Sequence, residues 1–83
     1  ADLGLFRSGR ALHPEQPLMK NTLKVLRAGK GWTQEQLGDA LGVSRQAVNA
    51  LETEKHDPSL DLAYRIAAVF GQPVEAIFEN PHR

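Results

Sequence analysis

The sequence predicts an all-α domain built from five short helices. Apolar residues recur at helical spacing in separate stretches, most regularly between Leu60 and Phe70. Glycines and residues with capping side chains stand at the ends of these stretches, where helices begin and end. No stretch alternates apolar and polar residues, so signals for β-strands are nearly absent. At 83 residues the chain is long enough for one small domain.

The first two predicted helices are bounded by local signals. Asn21 is a candidate cap for the first helix, and Gly29 and Gly31 end it. Thr33 and Gln36 form the T-x-x-Q pattern of a capping box at the start of the second helix. Two apolar residues give the first helix its stripe: Leu23 and Leu26. Three residues are expected on the inward face of the second: Leu37, Ala40 and Leu41.

A very short connection joins the second and third helices. Gly42 can adopt the left-handed conformation that closes a helix, and Ser44 is a cap for the next one. So short a connection sets the helices at a steep angle, as in a helix-turn-helix. Such a crossing needs small residues, which Gly38 and Ala47 supply. The inward face of the third helix is expected to hold three residues: Ala47, Val48 and Leu51.

The last two helices follow a turn at His56-Asp57-Pro58. Ser59 is the cap candidate for the fourth helix, and Gly71 ends it. Pro73 suits the first turn of the fifth. The inward-facing residues of these helices are expected to be Leu62, Ala63, Ile66, Ala67, Phe70, Val74, Ile77 and Phe78.

Composition and segment boundaries exclude several classes of protein. The chain has no cysteine, and its three histidines lie too far apart for a known metal spacing, so we expect neither metal nor cofactor. The sequence has neither a P-loop or dinucleotide-binding glycine pattern nor a nucleophile elbow, so we expect that the protein is not an enzyme. No apolar run approaches the roughly 18 residues of a membrane helix, which favours a cytoplasmic protein.

The chain divides near Met19, its only methionine. Residues 1–18 contain two glycines and two prolines, and their apolar residues show no sustained periodicity. We interpret them as an N-terminal extension. Whether this extension is native or an expression remnant stays open. Residues 19–79 form the predicted domain, and residues 80–83 a short tail.

The exposed face of the third helix carries residue types that read DNA. Its outward residues include Arg45, Gln46 and Asn49, and no acidic residue occurs between Gly42 and Leu51. Arginine can form two hydrogen bonds with guanine, and glutamine or asparagine two with adenine. The helix start at Ser44 directs backbone N–H groups outward, where they can contact a phosphate. For any one of these residues, a solvated polar face that does not contact DNA is the alternative. The occurrence of all of them on the same helix argues against that alternative.

Two stretches resemble the Cro/repressor-type (XRE-like) helix-turn-helix regulators of bacteria and phages: LKVLRAGKGWTQEQLGDALGVSRQAVNALE and PSLDLAYRIAAVFGQPVEAIF. The resemblance covers residues 19–79, and its cores TQEQL, LGVSRQAV and PSLDLAYRIA are specific in combination. It implies a five-helix, lambda-repressor-like domain in which the third helix is the recognition helix.

The resemblance also implies roles for individual residues. Arg45, Gln46 and Asn49 match base-reading positions. Three residues match positions that contact phosphates: Gln34, Ser44 and Lys55. Arg27 and Glu52 match a pair that in relatives often ties the first helix to the third through an ion pair.

Two positions depart from the family pattern. Thr53-Glu54 stand where the family often has Asn-Gly or Arg-Gly. A non-glycine residue in a left-handed turn costs about 1 kcal/mol, and a glutamate beside a phosphate would repel it. Gly38 replaces the usual alanine and preserves the close helix crossing. Neither departure removes the base-reading residues, so we expect lower affinity rather than another class of protein.

From the residues and the resemblance we expect a sequence-specific transcriptional regulator, a repressor that binds duplex DNA. One recognition helix reads only a few base pairs, which favours a homodimer on a near-palindromic operator with half-sites about 34–36 Å apart. We expect the dimer surface at the C-terminal end, at Val74, Ile77 and Phe78, and no small-molecule ligand. The alternatives are an antitoxin-like interaction module of a toxin–antitoxin pair, and a fold that has lost DNA binding.

The formal net charge of zero conceals a polarised chain. Residues 20–49 carry five basic and two acidic side chains, whereas residues 50–83 carry three basic and six acidic ones. The predicted recognition helix begins in the basic part. With few basic residues available for phosphates, we expect the salt dependence of DNA binding to be modest.

Overall fold

Residues 18–82 are described by the computed structural model. Within this range lie five helices: α1 (Leu23–Gly29), α2 (Gln34–Leu41), α3 (Arg45–Glu52), α4 (Leu60–Phe70) and α5 (Val74–Ile77). The described range contains no strand, which confirms the all-α prediction. None of its helices has both the length and the apolar character needed to cross a membrane. The predicted extension over residues 1–18 lies outside the described residues, apart from Leu18.

The helix starts follow the capping chemistry that the sequence predicts. The Thr33 hydroxyl accepts a hydrogen bond from the Gln36 amide, and the Gln36 side chain accepts one from the Thr33 amide. Ser44 and Ser59 cap α3 and α4 in the same manner, each accepting from the amide three residues further on. These caps satisfy backbone donors that have no partner within the helix, and so fix where each helix begins.

Helix α1 begins one residue later than a cap at Asn21 would place it. Thr22 occupies the N-cap position, and its side chain makes no capping hydrogen bond. The Asn21 side chain bridges two helices instead. Its Oδ1 accepts from the Leu23 amide at 3.0 Å, and its Nδ2 donates to the Leu51 carbonyl at 2.8 Å. Asn21 therefore joins the start of α1 to the end of α3.

The two ends of the domain lie against each other. Asn21 and Phe78 form an isolated antiparallel bridge. The Thr22 amide donates to the Ile77 carbonyl at 3.1 Å, and the Glu79 amide donates to the Lys20 carbonyl at 2.7 Å. These backbone hydrogen bonds hold residues 20–22 beside residues 77–79.

The core takes buried side chains from every helix: Leu23, Leu37, Leu41, Val48, Leu51, Ala63, Ile66, Ile77 and Phe78. Only 1% of Ile77 and 3% of Phe78 is exposed, so their side chains pack inside the protomer. Val74 is half-buried and packs against the same core. Their predicted inward orientation is confirmed, and the predicted dimer surface is corrected at these two residues, because side chains enclosed by their own chain are not available to a second copy. Ala40, predicted to face inward, is exposed, because the buried stripe of α2 runs through Leu37 and Leu41.

Helices α2 and α3 cross closely at Gly38, which is buried. A Cβ atom at this position would lie 2.7 Å from the Val43 carbonyl oxygen, a contact with backbone that cannot easily move away. Gly42, with φ of 78°, then closes α2 in the left-handed conformation. The crossing therefore depends on the absence of a side chain at Gly38, although glycine costs about 1 kcal/mol of helix propensity relative to alanine.

Gly38→Val should lower the free energy of unfolding by about 2–3 kcal/mol, because it forces a branched side chain against the α2–α3 turn. Ala40→Val is the matched control, since it places the same side chain on an exposed position of the same helix. Urea unfolding measures both variants. If both variants lose the same free energy of unfolding, the loss comes from helix propensity and not from the helix crossing.

Candidate nucleic-acid interface

Helix α3 has one exposed face and one buried face. Arg45, Gln46 and Asn49 are exposed, whereas Val48 and Leu51 are buried in the core. The exposed residues occur at i, i+1 and i+4, a spacing that places them along one side of the helix. The three predicted base-reading side chains thus share one accessible surface that the fold does not use for packing.

The first turn of α3 presents backbone donors beside this face. The Ser44 hydroxyl accepts from the Ala47 amide at 3.1 Å. The amides of Arg45 and Gln46 precede the first intrahelical hydrogen bond and therefore have no carbonyl partner within α3. N–H groups at the start of a helix favour anions, because the helix dipole places partial positive charge there.

An ion pair with two hydrogen bonds connects α1 to the end of α3. Arg27 Nε lies 2.6 Å from Glu52 Oε2, and Arg27 Nη2 donates to Glu52 Oε1 at 3.2 Å. A third donor, Arg27 Nη1, contacts the Trp32 carbonyl at 2.7 Å. The hydrogen bond to Glu52 raises the pKa of the Arg27 guanidinium above its ordinary value; burial opposes this rise, and the charge of Glu52 adds to it. The pair fixes the position of α3 relative to α1.

Gln34, at the start of α2, links this ion pair to the exposed face of α3. Its Nε2 donates to Glu52 Oε1 at 3.0 Å and to Asn49 Oδ1 at 3.2 Å. A primary amide has two N–H donors, and both are directed to protein acceptors here. The Gln34 side chain thus has no donor left for a phosphate in this arrangement, and only its backbone amide, in the first turn of α2, is free for such a contact.

The turn after α3 contains Glu54, whose side chain contacts the segment before α1. Glu54 has φ of 60°, the left-handed conformation that glycine favours. Its half-buried side chain accepts a hydrogen bond from the Asn21 amide at 3.2 Å through Oε2. Lys55, the next residue, is exposed. The Glu54 carboxylate therefore holds the segment before α1 against the end of α3.

The structure brings some of the predicted site residues into contact and leaves others apart. Gln34, Asn49, Glu52 and Arg27 form one chain of hydrogen bonds. Arg45, Gln46 and Ser44 lie at the N-terminal end of α3, and Lys55 follows its C-terminal end. The contact between Gln34 and Asn49 is not predicted by the sequence, since 15 residues separate them and no local spacing signals it.

Comparison with known proteins finds sequences similar to this chain. A family model described as helix-turn-helix matches residues 23–77. The uncharacterized HTH-type transcriptional regulator MJ0272 of Methanocaldococcus jannaschii is 55% identical over 60 residues, which cover 72% of this chain and 91% of that protein. The uncharacterized HTH-type transcriptional regulator YgzD of Bacillus subtilis is 47% identical over 60 residues, with the same coverage. Similar proteins thus occur in archaea as well as bacteria, a wider range than the expected bacteria and phages.

A solved structure has a similar fold. The crystal structure of a candidate DNA-binding protein from Bacteroides fragilis superposes with a TM-score of 0.65 at 26% sequence identity. The match covers 75% of this chain and all of that one. The similarity therefore extends through most of the five-helix arrangement and not only through the two helices of the motif.

Proposed function

This chain belongs to the helix-turn-helix family of transcriptional regulators, which implies DNA binding, and on that premise we propose that it is a repressor whose helix α3 reads the major groove. The observation that carries the proposal is the shared exposed face of Arg45, Gln46 and Asn49, opposite a buried face. These side chains have the donors and acceptors that distinguish base pairs in the major groove.

Phosphate contacts would position α3 in the groove. The proposed contacts are the backbone N–H groups at Ser44, the backbone amide of Gln34 at the start of α2, and the ammonium group of Lys55. Two helix starts beside the exposed face of α3 supply partial positive charge without requiring many basic side chains. Such contacts fix the register of the protein on the duplex but do not specify sequence.

Lys55→Gln should reduce the slope of log affinity against log salt by about one, because it removes one proposed phosphate contact. Lys55→Arg is the matched control and should retain the parental slope, since it keeps the charge. Fluorescence anisotropy titrations of a bound duplex at several salt concentrations measure the slopes. An unchanged slope in Lys55→Gln would exclude a phosphate contact at this residue.

We propose further that the repressor acts as a homodimer on a near-palindromic operator. Three base-reading side chains specify only a few base pairs, whereas a dimer reads two half-sites about 34–36 Å apart. With Ile77 and Phe78 buried, a C-terminal interface would consist of exposed neighbours such as Ala76 and Glu79. A monomer in light scattering at high micromolar concentration would contradict the dimer.

Selection of bound sequences from a random duplex pool tests the function directly. We expect enrichment of inverted half-sites whose centres are separated by about 10–10.5 base pairs, one helical turn. A pool without enrichment would contradict sequence-specific binding, and single unrepeated sites would contradict the dimer. The antitoxin-like alternative gains no support, because the similar proteins from M. jannaschii and B. subtilis are called transcriptional regulators.

A further inference from the structure

Helix α3 is anchored to the rest of the domain at its C-terminal end. Glu52, its last residue, has a buried carboxylate that accepts hydrogen bonds from Arg27 at both oxygens. Arg45 and Gln46, the proposed base-reading residues of the first turn, lie at the opposite end, about 10 Å away at a rise of 1.5 Å per residue. The ion pair therefore fixes one end of α3 but does not reach the end that carries these two side chains.

A second polar contact lies at the turn that leads into α3. Arg65 of α4 donates from Nη1 to the carbonyl of Leu41, the last residue of α2, at 2.8 Å. Its Nη2 lies 2.6 Å from Oδ2 of Asp61, one turn earlier in α4. Because only residues 42–44 separate Leu41 from α3, the contact holds the chain just before the first turn of the recognition helix.

The local sequence explains why α4 supplies this contact. The last carbonyls of a helix have no partner within it, and the helix dipole gives them partial negative charge. Helix α2 contains no lysine, arginine or histidine, so the cation comes from another element. Gly42 leaves space for it, since a Cβ atom there would lie 3.3 Å from Arg65 Nη1. The turn is thus built around a guanidinium that α4 provides.

We propose that Arg65 is a positioning residue for base reading, which directs the N-terminal end of α3 without touching the DNA. Arg27 holds one end of α3 and Arg65 holds the turn before the other, so together they determine the direction of the helix axis. The buried side chains of α3, Val48 and Leu51, lie from its fourth residue onward and restrain the first turn less. Groups that bind a ligand must keep their positions within about 0.5 Å. This inference rests on the proposed function and adds a residue that determines its specificity.

Arg65→Met should lower the preference for the operator over a scrambled duplex by about tenfold, because misplaced side chains lose about one paired base contact. The operator is the duplex selected from the random pool, and anisotropy titrations with both duplexes give the ratio of affinities. Loss of one positive charge lowers the affinity for any duplex, so this effect cancels in the ratio. A ratio equal to that of the parent would overturn the proposal.

Asp61→Asn is the matched control, since it breaks the ion pair of Arg65 but leaves the hydrogen bond to Leu41 in place. It should retain the parental ratio to within about twofold, because the pair is exposed. About half of the Arg65 side chain is exposed, so Arg65→Met should remain folded as well. A loss of preference in Asp61→Asn as large as in Arg65→Met would assign the effect to the ion pair and overturn the role of the Leu41 contact.

The restraint on the turn can be measured in the free protein by amide hydrogen exchange. The amides of Val43 and Val48 donate to carbonyls of α2 and of the residue before α3, so they report local opening of the turn. In Arg65→Met their exchange should become about 2- to 12-fold faster relative to the buried Phe78, the range expected for one lost hydrogen bond. Unchanged relative rates would overturn the proposal.

The two measurements separate failure of this inference from failure of the proposed function. Faster exchange at the turn together with a lower preference for the operator would support the proposal. If the parent itself does not prefer the operator, the proposed function and the positioning of base contacts both fail. The exchange rates, which need no DNA, still decide whether Arg65 restrains the turn.

Discussion

The double variant Arg45→Ala/Gln46→Ala should lose sequence-specific DNA binding while it retains the fold. Each paired contact with a base contributes about 1–3 kcal/mol of discrimination, so two of them contribute about 2–6 kcal/mol for each half-site. Affinity for the selected operator should fall by at least about 30-fold, toward the affinity for a scrambled duplex. Because both side chains are exposed, the free energy of unfolding should change by less than about 0.5 kcal/mol.

Arg45→Lys is the control that separates charge from base reading. Lysine keeps the charge but lacks the planar, forked donors of arginine, so the salt dependence should stay the same while the base preference weakens. Anisotropy titrations with the operator and the scrambled duplex measure both quantities. If the double variant binds the operator as tightly as the parent, α3 is not the recognition helix.

Arg27→Met should lower the free energy of unfolding by about 3–5 kcal/mol, because it leaves a buried carboxylate without its ionic partner. That carboxylate belongs to Glu52, of whose side chain only 3% is exposed. The double variant Arg27→Met/Glu52→Leu should recover most of the loss, because it removes the stranded charge and places apolar side chains at both positions. Urea unfolding of the parent, both single variants and the double variant gives the coupling energy between the two residues.

A second ion pair of the same chain is the control for this cycle. Arg65 Nη2 lies 2.6 Å from Asp61 Oδ2, but 52% and 73% of these side chains are exposed. Arg65 Nη1 also donates to the Leu41 carbonyl. Arg65→Met should therefore cost at most about 1 kcal/mol, since water screens the pair. Similar losses in Arg27→Met and Arg65→Met would show that burial does not govern the contribution of the Arg27 pair.

Local features of the fold could be predicted from the sequence, because they depend on residues a few positions apart. The capping box at Thr33 and the caps at Ser44 and Ser59 involve hydrogen bonds that span three residues. Helical periodicity likewise identified most of the buried side chains. Periodicity failed for Ala40, which is exposed. Helix α2 is short, and the way it packs against the rest of the domain decides which of its apolar residues are buried.

The remaining features depend on contacts between distant parts of the chain. Helical spacing correctly placed Ile77 and Phe78 inward, but it did not predict the bridge between Asn21 and Phe78, which holds the C-terminal segment beside the start of the domain. The contact of the Gln34 side chain with Glu52 was not predicted either, since it depends on the relative position of α2 and α3. Neither outcome follows from residue type or spacing, because each requires the geometry of the assembled helices.

The pairing of the domain's two ends determines where neighbouring chain can be attached. Residues 20 and 79 are joined by a backbone hydrogen bond of 2.7 Å, so the two points at which further chain can be attached lie side by side. Ends that lie together in this way favour circular permutation and insertion into a host protein. A second domain fused before residue 20 or after residue 79 would be attached at nearly the same place. The distance between the two domains should therefore depend little on the order in which they are fused.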